Sequence, residues 1–212
     1  MKLLEFDKTK SLLKKYNILI KDTDIFNDEK EALNYALKIG FPIVLKVYSD
    51  KVIHKTEENA VITNISNEKE FKEYFSFLNS KFKDKEGIII QKQFKGRELV
   101  IGISNDETFG KVIMIGLGGI FVEVLEDVSF RLCPITKKDA LGMIQELKGY
   151  KILMDFRGKK KVDMDKLVEF LVNLSHLAIN EKNIESIDFN PLIINEKEIN
   201  VADFRIIVKE NA

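Results

Sequence analysis

The sequence predicts an α+β fold in two lobes, a smaller one over residues 1–90 and a larger one over residues 91–212. Two observations carry this prediction. Helical and strand patterns alternate in the first part, whereas from residue 87 onward four strand-like runs follow one another with short turns between them. Two helical patterns and a last pair of strands come after these runs, so each lobe combines a sheet with helices.

The smaller lobe shows helical periodicity that is interrupted by short apolar runs. Gly40 follows the second helical pattern as a C-cap, and Ser66 is the candidate N-cap of the third. The predicted helices cover 9–16, 28–39 and 68–82, and the predicted strands cover 43–48 and 61–63.

The larger lobe begins as a sheet, and its first four strands are expected to form an antiparallel meander because their connections are short. A second pair of strands closes the chain after two helices. The predicted strands cover 87–93, 98–103, 111–115, 120–124, 185–194 and 198–207, and the helices cover 136–147 and 163–180.

The composition excludes several classes of protein. The chain has 212 residues, with 34 Lys+Arg against 34 Asp+Glu, and a net charge of zero argues against broad nucleic-acid binding. One cysteine, Cys133, permits neither a disulfide framework nor a CxxC metal site, and two histidines exclude a multi-histidine metal centre. The N-terminus has no signal-peptide core, and the apolar run 112–122 is too short to span a bilayer. We therefore expect a cytoplasmic protein that binds neither nucleic acid nor membrane.

The C-terminal strand pair carries the most informative polar side chains. If its turn is centred on residues 196–197, Asn190 lies opposite Asp203 and Asp188 lies opposite Arg205. Strand alternation then places all four side chains on one face. Carboxylate and amide oxygens at this spacing suit Mg²⁺, which takes one or two protein ligands besides phosphate oxygens and waters. The alternative is the solvated face of an amphipathic hairpin.

A lysine inside an apolar strand and a histidine in the loop that follows are further candidates. Lys46 could present a compact positive charge to a phosphate, or it could simply point outward from a half-buried strand. In the loop 49–57, His54 is followed by Lys55 and, three residues on, by Glu57. Such a histidine could accept a phosphoryl group or act as an acid or base, or it could be an ordinary surface histidine.

The glycine-rich stretch 116–119 is only superficially similar to a dinucleotide-binding fingerprint. Its spacing is not GxGxxG, and a strand rather than a helix is expected to follow it. We expect these glycines to allow a tight turn or a close approach of the backbone to a ligand.

Taken together, these segments resemble an ATP-grasp protein, and more closely the β subunit of ADP-forming acetyl-CoA synthetase (NDP-forming acyl-CoA synthetase). They occur in the family's order and cover nearly the whole chain. The HKTE loop distinguishes this branch from most other ATP-grasp enzymes, and IDFNPL with VADFR is also similar to succinyl-CoA synthetase β subunits. The matching segments are PIVLKVYSDKVIHKTEENAV (42–61), GRELVIGISNDETFG (96–110), GLGGIFVEVLEDVSFRLCPI (116–135) and IDFNPLII with INVADFRI (187–206).

The resemblance implies an ATP-grasp fold in which nucleotide is held between two mainly antiparallel sheets. It implies the reaction acyl-CoA + ADP + phosphate ⇌ carboxylic acid + CoA + ATP, run through phosphohistidine intermediates. ATP or ADP and Mg²⁺ are the implied cofactors. A CoA-binding α subunit is the implied partner, in a hetero-oligomer of α2β2 type.

The resemblance also implies roles for single residues. His54 matches the histidine that takes the phosphoryl group and hands it to ADP, and Asp188 matches the acidic residue that orients or stabilises the phosphohistidine. Lys46 matches the lysine on the nucleotide phosphates. Asn190 and Asp203 match the Mg²⁺ ligands.

The implied nucleotide-binding residues lie in three further places. Gln91 to Phe94, which include Lys92, match the hinge whose backbone recognises adenine. Glu98 matches the acidic residue near the ribose. Ser49, at the start of the histidine loop, completes the set.

The chain departs from the family's pattern at Asn59-Ala60, where Gly-Gly is usual, and more mildly at Asn17, where Gly is frequent. The glycines let backbone amides approach phosphate; Asn tolerates a left-handed conformation, whereas Ala is less suited. Two alternatives therefore stay open: a succinyl-CoA synthetase-like or other carboxylate-activating ATP-grasp ligase, and a nucleotide-binding regulatory subunit without turnover.

Overall fold

The computed structural model describes residues 1–49, 58–119, 126–158 and 160–209. It contains two compact units: Lys21–Gln93 form the smaller, and Met1–Ile20 together with Phe94–Ala212 form the larger. In the described part of the chain, no helix is long and apolar enough to cross a membrane.

The helices are α1 (Phe6–Lys15), α2 (Glu29–Ile39), α3 (Glu68–Lys81), α4 (Lys137–Glu146) and α5 (Met164–Asn180), with a 3-10 turn at Tyr150–Leu153. The strands are β1 (Lys2–Leu3), β2 (Thr23–Phe26), β3 (Ile43–Tyr48), β4 (Val61–Ile65), β5 (Gly87–Lys92), β6 (Arg97–Asp106), β7 (Gly110–Leu117), β8 (Val128–Leu132), β9 (Ile184–Ile194), β10 (Ile199–Val201) and β11 (Arg205–Val208).

The smaller unit is a four-stranded antiparallel sheet, in the order β2-β5-β3-β4, with helices α2 and α3 on one face. Asp28 and Asn67 begin the helices, since each side chain accepts a hydrogen bond from the backbone N–H three residues on, at 2.9 and 3.0 Å. The N-cap of α3 is thus Asn67, one residue after the predicted Ser66. The core beneath the helices combines strand and helix residues, among them Leu45, Val47, Ile88, Ile90, Phe71 and Phe75.

The larger unit is built on an antiparallel sheet in the order β1-β11-β9-β6-β7-β8, with β10 also paired to β9. Helix α5 packs against this sheet, where the rings of Phe170 and Phe189 meet edge to face at 5.5 Å between centroids. The apolar stripe predicted for this helix is buried as expected, and it comprises Leu167, Phe170, Leu171, Leu174 and Leu177.

A β-bulge in β9 changes which of its residues face the helices. Ile101 of β6 pairs with Phe189, but Leu99, two residues earlier, pairs with Leu192, three residues later. The extra residue in β9 lets Phe189 and Leu192 both enter the core although they are three apart. Asn190 lies within this bulge and is exposed.

The observed division of the chain differs from the predicted 1–90 and 91–212. The boundary falls at Gln93 and Phe94, inside the predicted hinge, and the first twenty residues belong to the larger unit. They do so because β1 pairs with β11, and because the Phe6 ring lies 5.6 Å from that of Phe204. Pairing across nearly the full length of the chain leaves no local trace in the sequence.

The predicted meander is correct in part. Strands β6, β7 and β8 are consecutive antiparallel neighbours, but β5 belongs to the other sheet, where it pairs with β3 and β2. The strand predicted over 120–124 lies outside the described residues, and β2 and β8 were not predicted. The last strand, predicted over 198–207, is interrupted after Val201 and resumes at Arg205.

Candidate functional site

Lys46 is buried on the sheet face that points away from α2 and α3. Its neighbours Leu45 and Val47 belong to the helix-covered core, so alternation along β3 turns Lys46 to the opposite face. Only 6% of the residue is exposed. A lysine this buried needs polar partners. The outward-facing, solvated alternative is therefore wrong.

Gln91 supplies one such partner, because its Oε1 accepts a hydrogen bond from Lys46 Nζ at 2.7 Å. The amide nitrogen of Gln91 in turn donates to Thr23 Oγ1 at 2.8 Å, and that hydroxyl donates to the carbonyl oxygen of Lys21 at 2.7 Å. Thr23, Gln91 and Lys46 come from three adjacent strands of one sheet and are at most 6% exposed. Sequence reasoning missed Thr23, and it assigned Gln91 only a backbone role at the hinge.

Ser49 lies directly after β3 and is buried, with 6% of the residue exposed. It therefore stands at the point where the chain leaves the strand that carries Lys46. His54, the predicted phosphoryl acceptor, belongs to the segment 50–57 and lies outside the described residues.

The chain accommodates Asn59-Ala60 in place of the usual glycines. Asn59 adopts a left-handed backbone with φ of 54°, as Asn17 does with φ of 58°. Ala60 is fully buried in the core of the smaller unit, and its carbonyl oxygen accepts a 2.9 Å hydrogen bond from Val47 N. Asn59 thus takes a left-handed conformation of the kind that glycine also adopts, and the Ala60 side chain packs into the core.

The predicted hinge residues are held largely by the smaller unit. The backbone N–H groups of Lys92 and Gln93 donate to Asp22 O at 2.9 Å and to Pro42 O at 3.1 Å. The Lys92 ammonium donates to Gly40 O at 2.7 Å and to Phe41 O, so it satisfies carbonyls after the end of α2. Lys92 thus has a structural partner on its own unit, whereas Phe94, half-buried, begins the larger unit.

One face of the larger sheet collects the polar residues predicted for catalysis. Arg205 pairs with Asp188, and Asp188 pairs with Gly102, so this row crosses β11, β9 and β6. Glu98 lies on the same face of β6, four residues before Gly102, and is exposed. The opposite face carries Phe189 and packs on α5. The predicted pairing of Asp188 with Arg205 is confirmed.

Asn190 and Asp203 both lie at the irregular centre of the hairpin, between the regular pairs of β10 and β11 with β9. Asn190 lies in the bulge of β9, and the backbone N–H groups of Ala202 and Asp203 reach back to Pro191 O at 3.1 and 3.3 Å. The predicted register holds on both sides of this centre, in β10 and in β11. One amide and one carboxylate, both accessible, form a hard oxygen donor pair of the kind that binds Mg²⁺ together with phosphate oxygens. The donor set therefore fits the predicted metal.

Gly118 lies close against Glu98 of the neighbouring strand, and the approach to a ligand that its sequence context suggested stays a prediction. A Cβ at this position would lie 2.8 Å from Glu98 Cβ, and Gly118 N donates to Glu98 O at 2.8 Å. The glycine thus brings β7 against the backbone of Glu98.

Cys133 directly follows β8, and its surroundings do not favour a nucleophilic role. It is half-buried, and burial raises the pKa of its thiol to about 11. The thiol therefore stays protonated near neutral pH.

The two antiparallel sheets and their helices define an ATP-grasp protein, and the family model described as an ATP-grasp domain matches residues 1–208. Among characterised relatives, the β subunit of acetate–CoA ligase (ADP-forming) I of Pyrococcus furiosus is 40% identical over 190 residues, 86% of this chain and 82% of the relative. The chain belongs to the family of ADP-forming acetate–CoA ligases, the ADP-forming acetyl-CoA synthetases, as a chain of the β-subunit type.

In a second relative, the matching sequence is part of a longer chain. Acetate–CoA ligase (ADP-forming) II of Archaeoglobus fulgidus is 43% identical over all 212 residues, but this chain covers only 31% of its length. Two of the relatives, both from Pyrococcus furiosus, are named as β subunits.

Solved structures are also similar to this chain over nearly its whole length. The dinucleotide-forming acetyl-coenzyme A synthetase 1 of Ca. Korarchaeum cryptofilum, in complex with coenzyme A, Ca-AMPCP and HgCl+, superposes with a TM-score of 0.92 at 36% identity, covering 98% of this chain and 94% of that one. A second complex of the same enzyme, with coenzyme A and Mg-AMPPCP, has its phosphohistidine segment pointing towards the nucleotide binding site, at a TM-score of 0.85 and 36% identity, covering 98% and 93%. The predictions of family, fold and enzyme class are confirmed.

Proposed function

We propose that this chain carries out the nucleotide half of acyl-CoA + ADP + phosphate ⇌ carboxylic acid + CoA + ATP. The observation that supports the proposal is the register of the C-terminal hairpin, in which Asp188 pairs with Arg205 and the predicted pairing holds on both sides of Asn190 and Asp203. ATP or ADP is the substrate of this half, and a CoA-binding α subunit, in an α2β2 assembly, completes the reaction.

Lys46 is the group that we assign to the nucleotide phosphates. Phosphoryl transfer depends mainly on positioning and on neutralising the charge of the phosphoryl oxygens. A buried ammonium acts more strongly on those oxygens than an exposed one, because water screens it less. Burial at 6% exposure and the hydrogen bond to Gln91 keep this charge in one place.

Asn190 and Asp203 would hold Mg²⁺. When bound there, the metal supplies positive charge to the phosphates and lowers the repulsion that a nucleophile meets. The interruption of the last strand between Val201 and Arg205 leaves Asp203 at a bend, next to the bulge that carries Asn190.

His54 is the proposed nucleophile. A neutral imidazole nitrogen attacks the terminal phosphorus of ATP, a P–N bond forms, and the P–O bond to ADP breaks. The reverse step makes ATP from the phosphohistidine and ADP. Asp188 would accept the N–H of the other ring nitrogen, which fixes the tautomer and stabilises the positive charge on the phosphorylated ring.

Base and ribose recognition falls to the segment that joins the two units. The N–H groups of Lys92 and Gln93 are engaged within the smaller unit, so we assign adenine recognition to the carbonyl groups of this segment and to the backbone of Phe94. Glu98, exposed on the polar face of β6, is assigned to the ribose hydroxyls, and Ser49 to the phosphates beside Lys46.

An exchange experiment tests this function without a partner subunit. The purified chain, incubated with ATP, labelled ADP and Mg²⁺, is expected to move label from ADP into ATP, because formation of the phosphohistidine is reversible. A chain that binds Mg·ATP but catalyses no exchange would contradict the proposal.

Asp203→Ala is expected to lower this exchange rate on the order of 100-fold and to raise the Mg²⁺ concentration needed for half-maximal rate, because it removes a ligand oxygen. Asp165→Ala, which removes an exposed carboxylate on α5, is the matched control and should exchange normally. An Asp203→Ala variant with an unchanged rate and an unchanged Mg²⁺ requirement would remove Asp203 from the metal site.

A further inference from the structure

We propose that Thr23 is a positioning residue for the nucleotide-binding lysine, because it sets the orientation of the Gln91 amide that holds Lys46. The inference rests on the proposed function of Lys46 and deepens it. Thr23 lies on β2, two strands away from Lys46 on β3, with β5 between them.

The polarity of the hydrogen-bond chain is determined by its two ends. At one end the Lys21 carbonyl oxygen can only accept, so the single hydroxyl hydrogen of Thr23 is directed to it, at 2.7 Å. Towards Gln91 the hydroxyl can then only accept, and the group that faces it at 2.8 Å must be the amide NH2. The carbonyl oxygen of Gln91 is thereby turned to Lys46, whose ammonium can only donate.

Strand register explains why these three side chains can meet. Thr23 and Gln91 are direct cross-strand partners, and Lys46 pairs with Ile89, which places Gln91 on the diagonal from Lys46. Diagonal neighbours on one face of a sheet lie within reach of long side chains. The residues Thr23 and Gln91 are 2% and 1% exposed, so bulk water does not compete for these hydrogen bonds.

Loss of the Thr23 hydroxyl would remove a hydrogen bond that orients the amide. Gln91 could then rotate by half a turn, which would put its NH2 group against the Lys46 ammonium, donor against donor. The lysine would lose its 2.7 Å acceptor in the rotated state. Because a displaced charge acts on phosphate and not on the base, the effect should appear in the binding of phosphates.

Thr23→Val tests the inference, since valine keeps the shape of threonine without the hydroxyl. Isothermal titration is expected to show Mg·ATP binding about 10-fold weaker than in the wild-type chain, whereas adenosine, which has no phosphate, binds unchanged. Thr23→Ser, which keeps the hydroxyl, should bind both ligands nearly as the wild type does. Thr63→Val, on an exposed position of the same sheet, is the matched control.

Two outcomes would overturn the inference: normal Mg·ATP binding by Thr23→Val, or equal weakening of Mg·ATP and adenosine, which indicates a general loss of structure. If Thr23→Val does not fold, Thr23→Ala carries the same expectation.

A double-variant cycle gives a second test. Both oxygens of a carboxylate accept hydrogen bonds, so Thr23→Val should cost little Mg·ATP affinity in a Gln91→Glu background. Lys46→Met distinguishes a failure of the proposed role of Lys46 from a failure of the proposed role of Thr23. If Lys46→Met binds Mg·ATP normally, the proposed role of the lysine fails; if it binds weakly while Thr23→Val binds normally, only the role of Thr23 fails.

Discussion

Replacing His54 with Asn is expected to abolish ADP–ATP exchange, down to the background of a reaction without protein. Asparagine has nearly the size of histidine and retains a hydrogen-bonding group, but it cannot accept a phosphoryl group on a ring nitrogen. Because the proposed route passes through a covalent phosphohistidine, no slower path through the same site remains. The measurement is the rate at which labelled ADP enters ATP, with Mg²⁺ present.

The second histidine of the chain provides the control. His176 is exposed on α5, and His176→Asn should exchange at the wild-type rate. Binding of Mg·ATP by His54→Asn should stay measurable, which shows that chemistry and not folding has been lost. Exchange by His54→Asn at more than a few per cent of the wild-type rate would remove His54 from the proposed route.

Replacing Lys46 with Met is expected to lower the exchange rate by about 100-fold or more and to weaken Mg·ATP binding. Methionine has a similar length but no charge, so it occupies the space on β3 without neutralising the phosphates. The variant should fold, because burying an ammonium at 6% exposure is costly and an apolar side chain removes that cost. Thermal unfolding is expected to stay close to that of the wild-type chain, because the loss of the hydrogen bond to Gln91 offsets this gain.

Lys92→Met is the matched control for Lys46→Met. Lys92 lies on the neighbouring strand and its ammonium caps the Gly40 and Phe41 carbonyls, so its loss should reduce stability while exchange by the folded protein continues. If Lys92→Met loses exchange and Lys46→Met does not, the phosphate-binding lysine has been assigned to the wrong strand.

Local patterns of the sequence predicted most of the elements. The strand Ile43–Tyr48 matches its predicted bounds, and α2 and α3 each differ by one residue at one end, because alternation, helical periodicity and Gly40 are signals within a few residues. The pairing of Asp188 with Arg205 was predictable for the same reason, since a short hairpin determines its own register.

The pairing of strands that are distant in the sequence could not be predicted from local patterns. Nothing near Lys2 or Leu3 indicates that they pair with β11, and nothing near Gly87 shows that β5 joins the smaller sheet. The bulge that contains Asn190 could not be predicted either, because it arises where the pairing of β9 with β6 shifts by one residue.

Thr23 is the residue near the candidate site that the sequence was least able to predict. A Thr two residues from Ile25 is a weak signal for a strand, and only the pairing with β5 places it opposite Gln91. The departure at Asn59-Ala60 was visible in the sequence, but only the structure shows that Asn59 adopts a left-handed backbone and that Ala60 is buried.

The proposed reaction depends above all on transfer of a phosphoryl group from ATP to His54. It is tested most directly by incubating the chain with Mg·ATP, digesting it at alkaline pH, where phosphohistidine is stable, and locating the phosphoryl group by fragmentation mass spectrometry. We expect a phosphoryl group on the peptide that contains His54, and we expect brief acid treatment to remove it. A phosphoryl group on His176, on a carboxylate or on a hydroxyl, or a chain that takes up none while binding Mg·ATP, would contradict it.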